Sequence, residues 1–311
     1  MQKSKINTTM INNYEIKNKI ETYKRKKNNI LQKNKIYIIY KLLLICLLSL
    51  ILIILITSVK NLKMVNMYII THKDFSNDVI VNPAYIILCD DKSQLKNEYK
   101  LKIIETNHNN ILYPKRRGYS ECSKIYPIWK LYKEGKISSK FIGLFHYSRI
   151  FPFKNDIPDL DKIFDNYDII LKSRYEHLVT VREQFKQNHI IHFLDESIDI
   201  IRDLYPEYYP YAKSFLEKKW ANYCNIFIMK KDDFIKWGKF VFDVLLELDR
   251  RYNLTSDEDI ENLMKNEKEK TYINLNIPIQ SRLEGFIIER ISNIFYDRHF
   301  HKRYEIITVN I

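Results

Sequence analysis

The stretch Phe141–Phe151, with the sequence FIGLFHYSRIF, joins an apolar run to three side chains that can do chemistry. Five mostly apolar residues lead into His146, Tyr147 and Arg149, and Pro152 then ends the run. A short apolar run between breakers is typical of a strand buried on both faces. Open α/β sheets bind ligands at the carboxyl ends of such strands, so we expect these three side chains at a binding site. The alternative is that these polar side chains are simply solvated at the end of a buried strand and bind nothing.

The surrounding chain alternates between strand and helix patterns. Apolar runs at Lys63–Thr71, Ala84–Cys89 and Cys224–Met229 predict further strands. Tyr119–Glu134 repeats its large apolar residues at steps of three and four, which predicts a helix, and a long amphipathic helix is predicted from about Asp232 to Arg250. Strands that alternate with helices, without internal repeats, predict an α/β fold with a mainly parallel sheet flanked by helices.

One apolar segment precedes this domain. Leu42–Val59 contains eighteen residues without a charge. Together with Ile36–Tyr40 it is long enough to cross about 30 Å of hydrocarbon, so we predict one transmembrane signal anchor at residues 36–59. A buried core helix fits less well because such helices rarely stay apolar on every face. A cleaved signal peptide fits less well because the apolar core is too long and no small-residue cleavage site follows.

The positive charge is concentrated before this segment. Residues 1–41 carry eleven Lys or Arg and two Glu, a net +9 of the formal +13, which leaves +4 for the other 270 residues. That distribution disfavours nucleic acid as a partner and favours the lipid bilayer. The positive-inside rule predicts a cytoplasmic amino terminus. We therefore expect a disordered basic tail at 1–35, the anchor at 36–59, and a lumenal or extracytoplasmic domain at 60–311.

Four cysteines occur, and three of them fall in the predicted domain: Cys89, Cys122 and Cys224. No pair has Cys-x-x-Cys spacing, which disfavours a structural zinc site. The three domain cysteines allow at most one disulfide bond, whose pairing the sequence leaves open, and buried free thiols fit equally well.

Six motifs follow one another along the domain. They are Thr71–Lys73, Tyr119–Glu121 with Tyr126, Trp129 and Lys130, Gly143–Phe151, Pro206–Tyr208, Asn225–Lys230 and Gly285–Arg290. In this order they resemble the domain-of-unknown-function family 4422 (DUF4422), which occurs in capsular and exopolysaccharide biosynthesis proteins commonly labelled glycosyltransferase. The resemblance covers roughly residues 67–294. The central motif departs from the family pattern His-Tyr-Arg-Arg-Tyr-Phe at Ser148 and Ile150.

The resemblance implies a GT-A-like, Rossmann-type fold that transfers a sugar from a nucleotide-sugar donor to a glycan or glycoconjugate acceptor. It implies that His146 and Arg149 face the donor diphosphate and that Glu289, or second Glu284, is the base that accepts the acceptor proton. Further candidates are Glu121, which also suits a helix start, and Arg282 and Arg290. The donor-binding residues implied are Thr71, His72, Lys73, Tyr147, Arg149 and Asn225.

A divalent metal ion, Mn²⁺ or Mg²⁺, is allowed but not required by this pattern. GT-A folds usually hold the metal with Asp-x-Asp after a central strand, whereas this strand ends in His-Tyr-Ser-Arg. Asp90 and Asp91 follow an apolar strand and are weak candidates for metal ligands, because they precede the central strand after which the Asp-x-Asp motif usually comes. Two other functions stay open: an inactive glycan- or nucleotide-sugar-binding module, and a membrane tether that uses its basic tail.

Overall fold

A computed structural model gives the fold of most of the chain. It divides into two compact units, Met1–Asn61 and Leu62–Ile311. In the first unit, residues 37–53 form a helix (α1) with exposed side chains. Among the described residues, no helix combines the length and apolar character needed to cross a membrane. Of the predicted anchor, residues 36 and 54–59 lie outside the described residues, as does the predicted tail apart from residue 32. The structure describes residues 32, 37–53, 64–75, 80–96, 99–271 (backbone only for 268–271) and 276–309.

The second unit is built on a seven-stranded sheet. The strands of this unit are β1 (Val65–Ile70), β2 (Tyr85–Cys89), β3 (Lys102–Glu105), β4 (Phe141–His146), β5 (Ile169–Lys172), β6 (Tyr175–Glu176), β7 (Trp220–Ala221), β8 (Phe227–Lys230) and β9 (Arg303–Ile306). The large sheet has the order β3-β2-β1-β4-β8-β5-β9, and the very short β6 and β7 form a separate antiparallel sheet. In the large sheet all neighbouring pairs are parallel except those of β8, which runs antiparallel to both β4 and β5. The predicted mainly parallel α/β sheet is thus confirmed.

Helices cover both faces of this sheet, because each strand alternates its apolar side chains between the faces. Tyr68 and Ile70 of β1 face a large core shared with most of the helices, while Met67 and Ile69 face a smaller core. The helices are α2 (Arg116–Tyr119), α3 (Cys122–Lys133), α4 (Leu160–Phe164), α5 (Val181–Asn188), α6 (Ile191–Leu204), α7 (Tyr209–Leu216), α8 (Lys231–Tyr252), α9 (Asp257–Thr271), α10 (Ile277–Gln280) and α11 (Leu283–His299).

Strand β4 ends earlier than the sequence suggested. The apolar run continues to Phe151, but the strand stops at His146, where a tight turn begins and the Arg149 amide donates to the His146 carbonyl at 2.8 Å. Ile150 is fully buried in the smaller core and pairs with Val309 across an isolated bridge. Ile150 and Phe151 therefore belong to a buried loop rather than to the strand. The turn leaves residues 147–149 at the edge of the sheet.

The reversed direction of β8 matters for the site. Because β8 is antiparallel to its neighbours, the residues that precede it lie at the edge where β1, β4 and β5 end. Cys224 and Asn225 occupy this position, with backbone φ angles of 74° and 48°. Two consecutive non-glycine residues in the left-handed region are uncommon and cluster at functional sites.

Helix α2 packs tightly on the start of α11. A Cβ atom on Gly118 would lie 2.5 Å from a carboxyl oxygen of Glu284, and one on Gly285 would lie 3.0 Å from the Ser120 Cβ. A Cβ at Gly118 would force the end of the Glu284 side chain to move, and one at Gly285 would make an unusually tight contact. This contact brings the residues of α2 next to Arg282, which lies immediately before α11.

Candidate functional site

A cleft of about 640 Å³ opens at the carboxyl ends of β1, β2 and β4. This is the edge at which open α/β sheets bind ligands, and the volume is in the range of ordinary ligand sites. Side chains from strand ends, from α2 and α3, and from the start of α9 and α11 line it. They are Ile70, Thr71, His72, Asp90, Gln94, Tyr113, Arg116, Arg117, Ser120, Glu121, Lys124, His146, Tyr147, Asp257 and Arg282.

Three arginines line this cleft. Arg282 donates to the Ser120 hydroxyl at 2.8 Å and lies 3.9 Å from the Glu121 carboxylate. Arg117 pairs with Glu261 at 3.3 Å, and its backbone amide donates to Asp257 at 2.9 Å. Arg116 lies 4.6 Å from the centre of the Tyr113 ring and has no carboxylate partner among the described residues. At least one guanidinium group is thus available to an anionic ligand.

Lys124 and Asp90 form a buried ion pair at the cleft wall. The ammonium and carboxylate groups lie 2.7 Å apart, and only 6% and 14% of their side chains are exposed. The second Asp90 oxygen, Oδ1, is buried and has no hydrogen-bond partner among the described residues. The predicted metal candidate Asp90 is therefore already neutralised by a lysine.

The other metal candidate, Asp91, does not line the cleft. Its carboxylate accepts the Ser93 amide at 2.8 Å as a helix cap. Hydrogen bonds from the Ser93 side chain and then from this amide hold the pKa of Asp91 below its usual value. The described residues contain no group of three or more His, Cys, Asp or Glu side chains arranged to hold a metal. The donor set at this cleft thus does not fit a metal site built from protein ligands alone.

Two histidines stand at the cleft with lowered pKa values. Burial lowers the pKa of His146, with smaller effects from His72, Arg149 and Arg282, while Glu121 opposes them. Partial desolvation, then Lys124 and Lys73, lowers the pKa of His72. Both imidazoles are neutral at pH 7, so they act there as hydrogen-bonding groups rather than as cations.

Ser148, one of the two departures from the family motif, supports His146 directly. Its hydroxyl lies 2.7 Å from the His146 Nδ1 atom, which fixes the ring orientation. The second departure, Ile150, belongs to the core and does not line the cleft.

The loop after β1 is shaped by Thr71. Its buried hydroxyl bonds with both backbone groups of Lys73, at 3.1 Å from the amide. The His72 ring stands edge-on to Tyr147 at 5.0 Å, and the Lys73 ammonium lies 5.3 Å from the same ring. Of these predicted donor-binding residues, Thr71, His72 and Tyr147 line the cleft and Lys73 does not.

A second group of polar residues lies along the same edge, around Glu289. This carboxylate accepts the Cys224 amide at 3.0 Å and lies 3.2 Å from Arg290, and 18% of its side chain is exposed. Burial raises the pKa of Glu289, Arg290 opposes the shift, and Glu121 adds to it. Glu121 lines the cleft, and it acts electrostatically on both Glu289 and His146.

Arg149 and Asn225 belong to this second region rather than to the cleft. The exposed Arg149 guanidinium lies 3.0 Å from the Cys224 sulfur. Asn225 is buried, and its amide group contacts Ser292 at 3.1 Å and the Cys122 sulfur at 3.8 Å. The buried position of Asn225 therefore gives no support to its predicted contact with the nucleotide-sugar donor. The Arg149 side chain, in contrast, is accessible from solvent.

Two further candidates are buried. Arg290 is 4% exposed and donates to the Gln184 side chain at 2.9 Å, so it holds Glu289 rather than a ligand. Glu284 is fully buried, and burial beside Asp249 raises its pKa well above the usual value. The second-choice base Glu284 is thus closed to solvent in this structure.

The thiols of Cys89, Cys122 and Cys224 are free.

Sequence reasoning missed Arg116, Arg117 and Lys124 as cleft residues. The run Lys115-Arg116-Arg117 ahead of a predicted helix was the available signal.

The chain belongs to the family described as "Domain of unknown function (DUF4422)", whose model matches residues 66–301, and the resemblance seen in its motifs is thereby confirmed. Among solved structures it is similar to the apo form of WbbM, a bifunctional glycosyltransferase, with a TM-score of 0.58 and 21% sequence identity. The match covers 80% of this chain and 45% of that one, so the chain spans less than half of this neighbour. A likeness at this identity is one of fold.

A second solved structure is Core-mannan synthase A (CmsA/Ktr4) from Aspergillus fumigatus in its Mn/GDP form. The TM-score is 0.26 and the identity 11%, over 57% of this chain and 63% of that one. No curated protein matches the chain significantly.

Proposed function

We propose that this protein is a glycosyltransferase that moves a sugar from a nucleotide-sugar donor to a glycan or glycoconjugate acceptor. The observation that carries the proposal is the arginine-lined cleft at the carboxyl edge of the sheet. Glu289, a largely buried carboxylate of raised pKa, contacts the Cys224 amide at the same edge. The family membership and the fold of the WbbM glycosyltransferase are consistent with it.

In the proposed reaction, Arg116 and Arg282 bind the donor diphosphate and stabilise the charge that grows on it as the sugar–phosphate bond breaks. His72 and His146, which are neutral, supply hydrogen bonds to the donor. The acceptor oxygen bonds to the anomeric carbon while the nucleoside diphosphate leaves with the electron pair of the broken bond. The hydroxyl proton passes to the Glu289 carboxylate, whose raised pKa makes it a better base.

The test is nucleotide release by the purified full-length chain with UDP-, GDP-, CMP- and dTDP-sugars. We expect Arg282→Ala and Arg116→Ala each to lower kcat/KM about 10- to 100-fold, since a charge-assisted hydrogen bond contributes roughly 1.5–3 kcal/mol. Arg282→Lys should retain only part of the kcat/KM that Arg282→Ala loses, because a lysine ammonium lacks the planar guanidinium group that can donate two hydrogen bonds to a phosphate. Arg202→Ala is the matched control: Arg202 is a half-exposed arginine of α6 outside the cleft.

Absence of release with every donor, from a chain that unfolds cooperatively, would contradict the proposal. Under that result, retained binding of nucleotide-sugars would favour the inactive binding module instead. Equal losses in Arg202→Ala and Arg282→Ala would also contradict it, because they would show a nonspecific effect of removing positive charge.

We also propose that residues 36–59 anchor the chain in a membrane as a single-pass segment, with a cytoplasmic amino terminus and residues 60–311 lumenal or extracytoplasmic. The support is the uncharged stretch Leu42–Val59 and the eleven cationic residues before it. Alkaline carbonate extraction of cell membranes should leave the chain in the pellet, and protease added to sealed vesicles should remove only the tail. Release by carbonate would contradict the anchor.

A further inference from the structure

An exposed aromatic residue marks the small sheet formed by β6 and β7. Tyr175 is 61% exposed on β6, and its partner on β7 is Ala221. The neighbouring aromatic residue, Trp220, has cations close to its ring: the Arg174 guanidinium lies 4.9 Å and the Lys218 ammonium 4.5 Å from the ring centre. The Tyr175 ring is thus the aromatic surface that this sheet leaves open to solvent.

A continuous line of side chains leads from Tyr175 toward Glu289. Tyr175 and His177 stand two residues apart, with ring centres separated by 5.0 Å. The His177 Nε2 atom lies 2.7 Å from the Tyr223 hydroxyl. The Tyr223 ring in turn lies 4.9 Å from the guanidinium of Arg290, which contacts the Glu289 carboxylate at 3.2 Å. The line therefore connects an exposed ring with the candidate base.

The chemistry of this line suits a sugar. Burial and the nearby Arg290 lower the pKa of His177, and burial raises the pKa of Tyr223. Both groups are neutral at pH 7 and can donate or accept hydrogen bonds, which matches hydroxyl groups rather than phosphates or carboxylates. An exposed tyrosine ring offers an apolar face for the C–H face of a sugar ring.

We propose that Tyr175, His177 and Tyr223 form the acceptor subsite, which binds the terminal sugar of a glycan and presents its hydroxyl to Glu289. The subsite rests on the proposed function, because it gives the acceptor of that reaction a location. Tyr223 of the subsite contacts Arg290, the partner of Glu289, whereas none of the three subsite residues lines the arginine-lined cleft. Donor and acceptor then approach the candidate base from different elements of the fold.

The test compares transfer with hydrolysis in the full-length chain. Nucleotide release is measured at saturating donor with and without octyl glycosides of galactose, glucose, mannose and N-acetylglucosamine. In Tyr175→Ala the ratio of transfer to hydrolysis should fall about 2- to 12-fold, which corresponds to the roughly 0.5–1.5 kcal/mol of an aromatic contact. The fall should appear in the KM for the glycoside.

Three variants make the result specific. Tyr175→Phe keeps the ring and should restore the wild-type KM for the glycoside, whereas Tyr175→Leu keeps apolar bulk without the ring and should not. Tyr211→Ala is the matched control, since Tyr211 is a partly exposed tyrosine of α7 with a cation, Arg298, near its ring. Wild-type KM values for every glycoside in both Tyr175→Ala and Tyr175→Leu would overturn the subsite.

Failure of the proposed function gives a different result. If the wild-type chain releases no nucleotide with any donor, binding of the same octyl glycosides is measured by saturation-transfer NMR. Weaker binding in Tyr175→Ala and Tyr175→Leu, with unchanged binding in Tyr211→Ala, would still support a sugar subsite without catalysis. Equal binding in all of these variants would overturn it.

Discussion

Replacing Lys124 with methionine tests the buried ion pair at the cleft wall. The Lys124 ammonium group pairs with the Asp90 carboxylate at 2.7 Å, and both side chains are largely removed from water. The second Asp90 oxygen already lacks a hydrogen-bond partner among the described residues. Lys124→Met thus leaves a buried carboxylate with neither oxygen paired, because methionine fills the space of the lysine stem without its charge.

The expected loss is large. Removing one member of a buried pair costs about 3–5 kcal/mol. At roughly 2–4 °C per kcal/mol for a domain of this size, the melting temperature should fall by about 6–20 °C. The exposed pair of Lys140 and Asp161 is the matched control, with side chains 54% and 43% exposed. Lys140→Met should cost at most about 1 kcal/mol.

A double-mutant cycle identifies the cause. Thermal and urea unfolding are measured for Lys124→Met, Asp90→Asn and the double variant. The double variant should recover much of the stability lost by Lys124→Met, because no unpaired charge remains in it. A loss in Lys124→Met no larger than in Lys140→Met, or a double variant as unstable as the sum of the single ones, would refute the reasoning.

Three further changes have definite expected outcomes. Gly238→Ala should lower the free energy of unfolding by about 1–3 kcal/mol, because its Cβ would lie 2.1 Å from the Trp129 indole; an unchanged urea midpoint would contradict that packing. Burial lowers the pKa of His189 to about 4, so the unfolded chain takes up its proton first and stability should be lost as pH falls from 6.5 toward 4. In His189→Gln this loss, measured by urea unfolding at pH 7 and pH 4.5, should shrink by on the order of 2 kcal/mol, and an identical pH profile would argue against a buried neutral imidazole. The pKa of Glu284 is raised by burial, so folding must keep a proton on it above pH 4.5; Glu284→Gln should therefore gain stability relative to the wild type as pH rises, and a constant difference would show that the carboxyl is not held neutral.

The strands of the large sheet were readable from the sequence, because their apolar runs are long and bounded by polar residues. The runs around Val65–Ile70 and Tyr85–Cys89 both became strands with their polar ends at one edge. The strands Tyr175–Glu176 and Trp220–Ala221 were missed, since two residues carry no periodicity. The antiparallel direction of β8 was also out of reach, because the path of a chain between strands is not encoded in the strand itself.

The candidate site could be predicted only in part, for a similar reason. His72, His146 and Tyr147 lie at or just after the ends of strands, so their place at the sheet edge follows from the strand pattern alone. Arg116 reaches the cleft because two glycines far apart in the sequence, Gly118 and Gly285, allow α2 to touch α11. Such a contact leaves no local pattern, and neither does the burial that removes Asn225 from solvent.

The last strand of the sheet has a consequence for synthesis of the chain. Strand β5 is flanked by β8 on one side and by β9 on the other, and β9 consists of Arg303–Ile306. A ribosome that adds about 5–20 residues per second needs roughly 7–26 s to travel from the end of β5 to β9. During this interval one edge of β5 has no native partner. Unpaired edges invite association with other chains, so the nascent domain depends on its final strand, or on a chaperone, for protection.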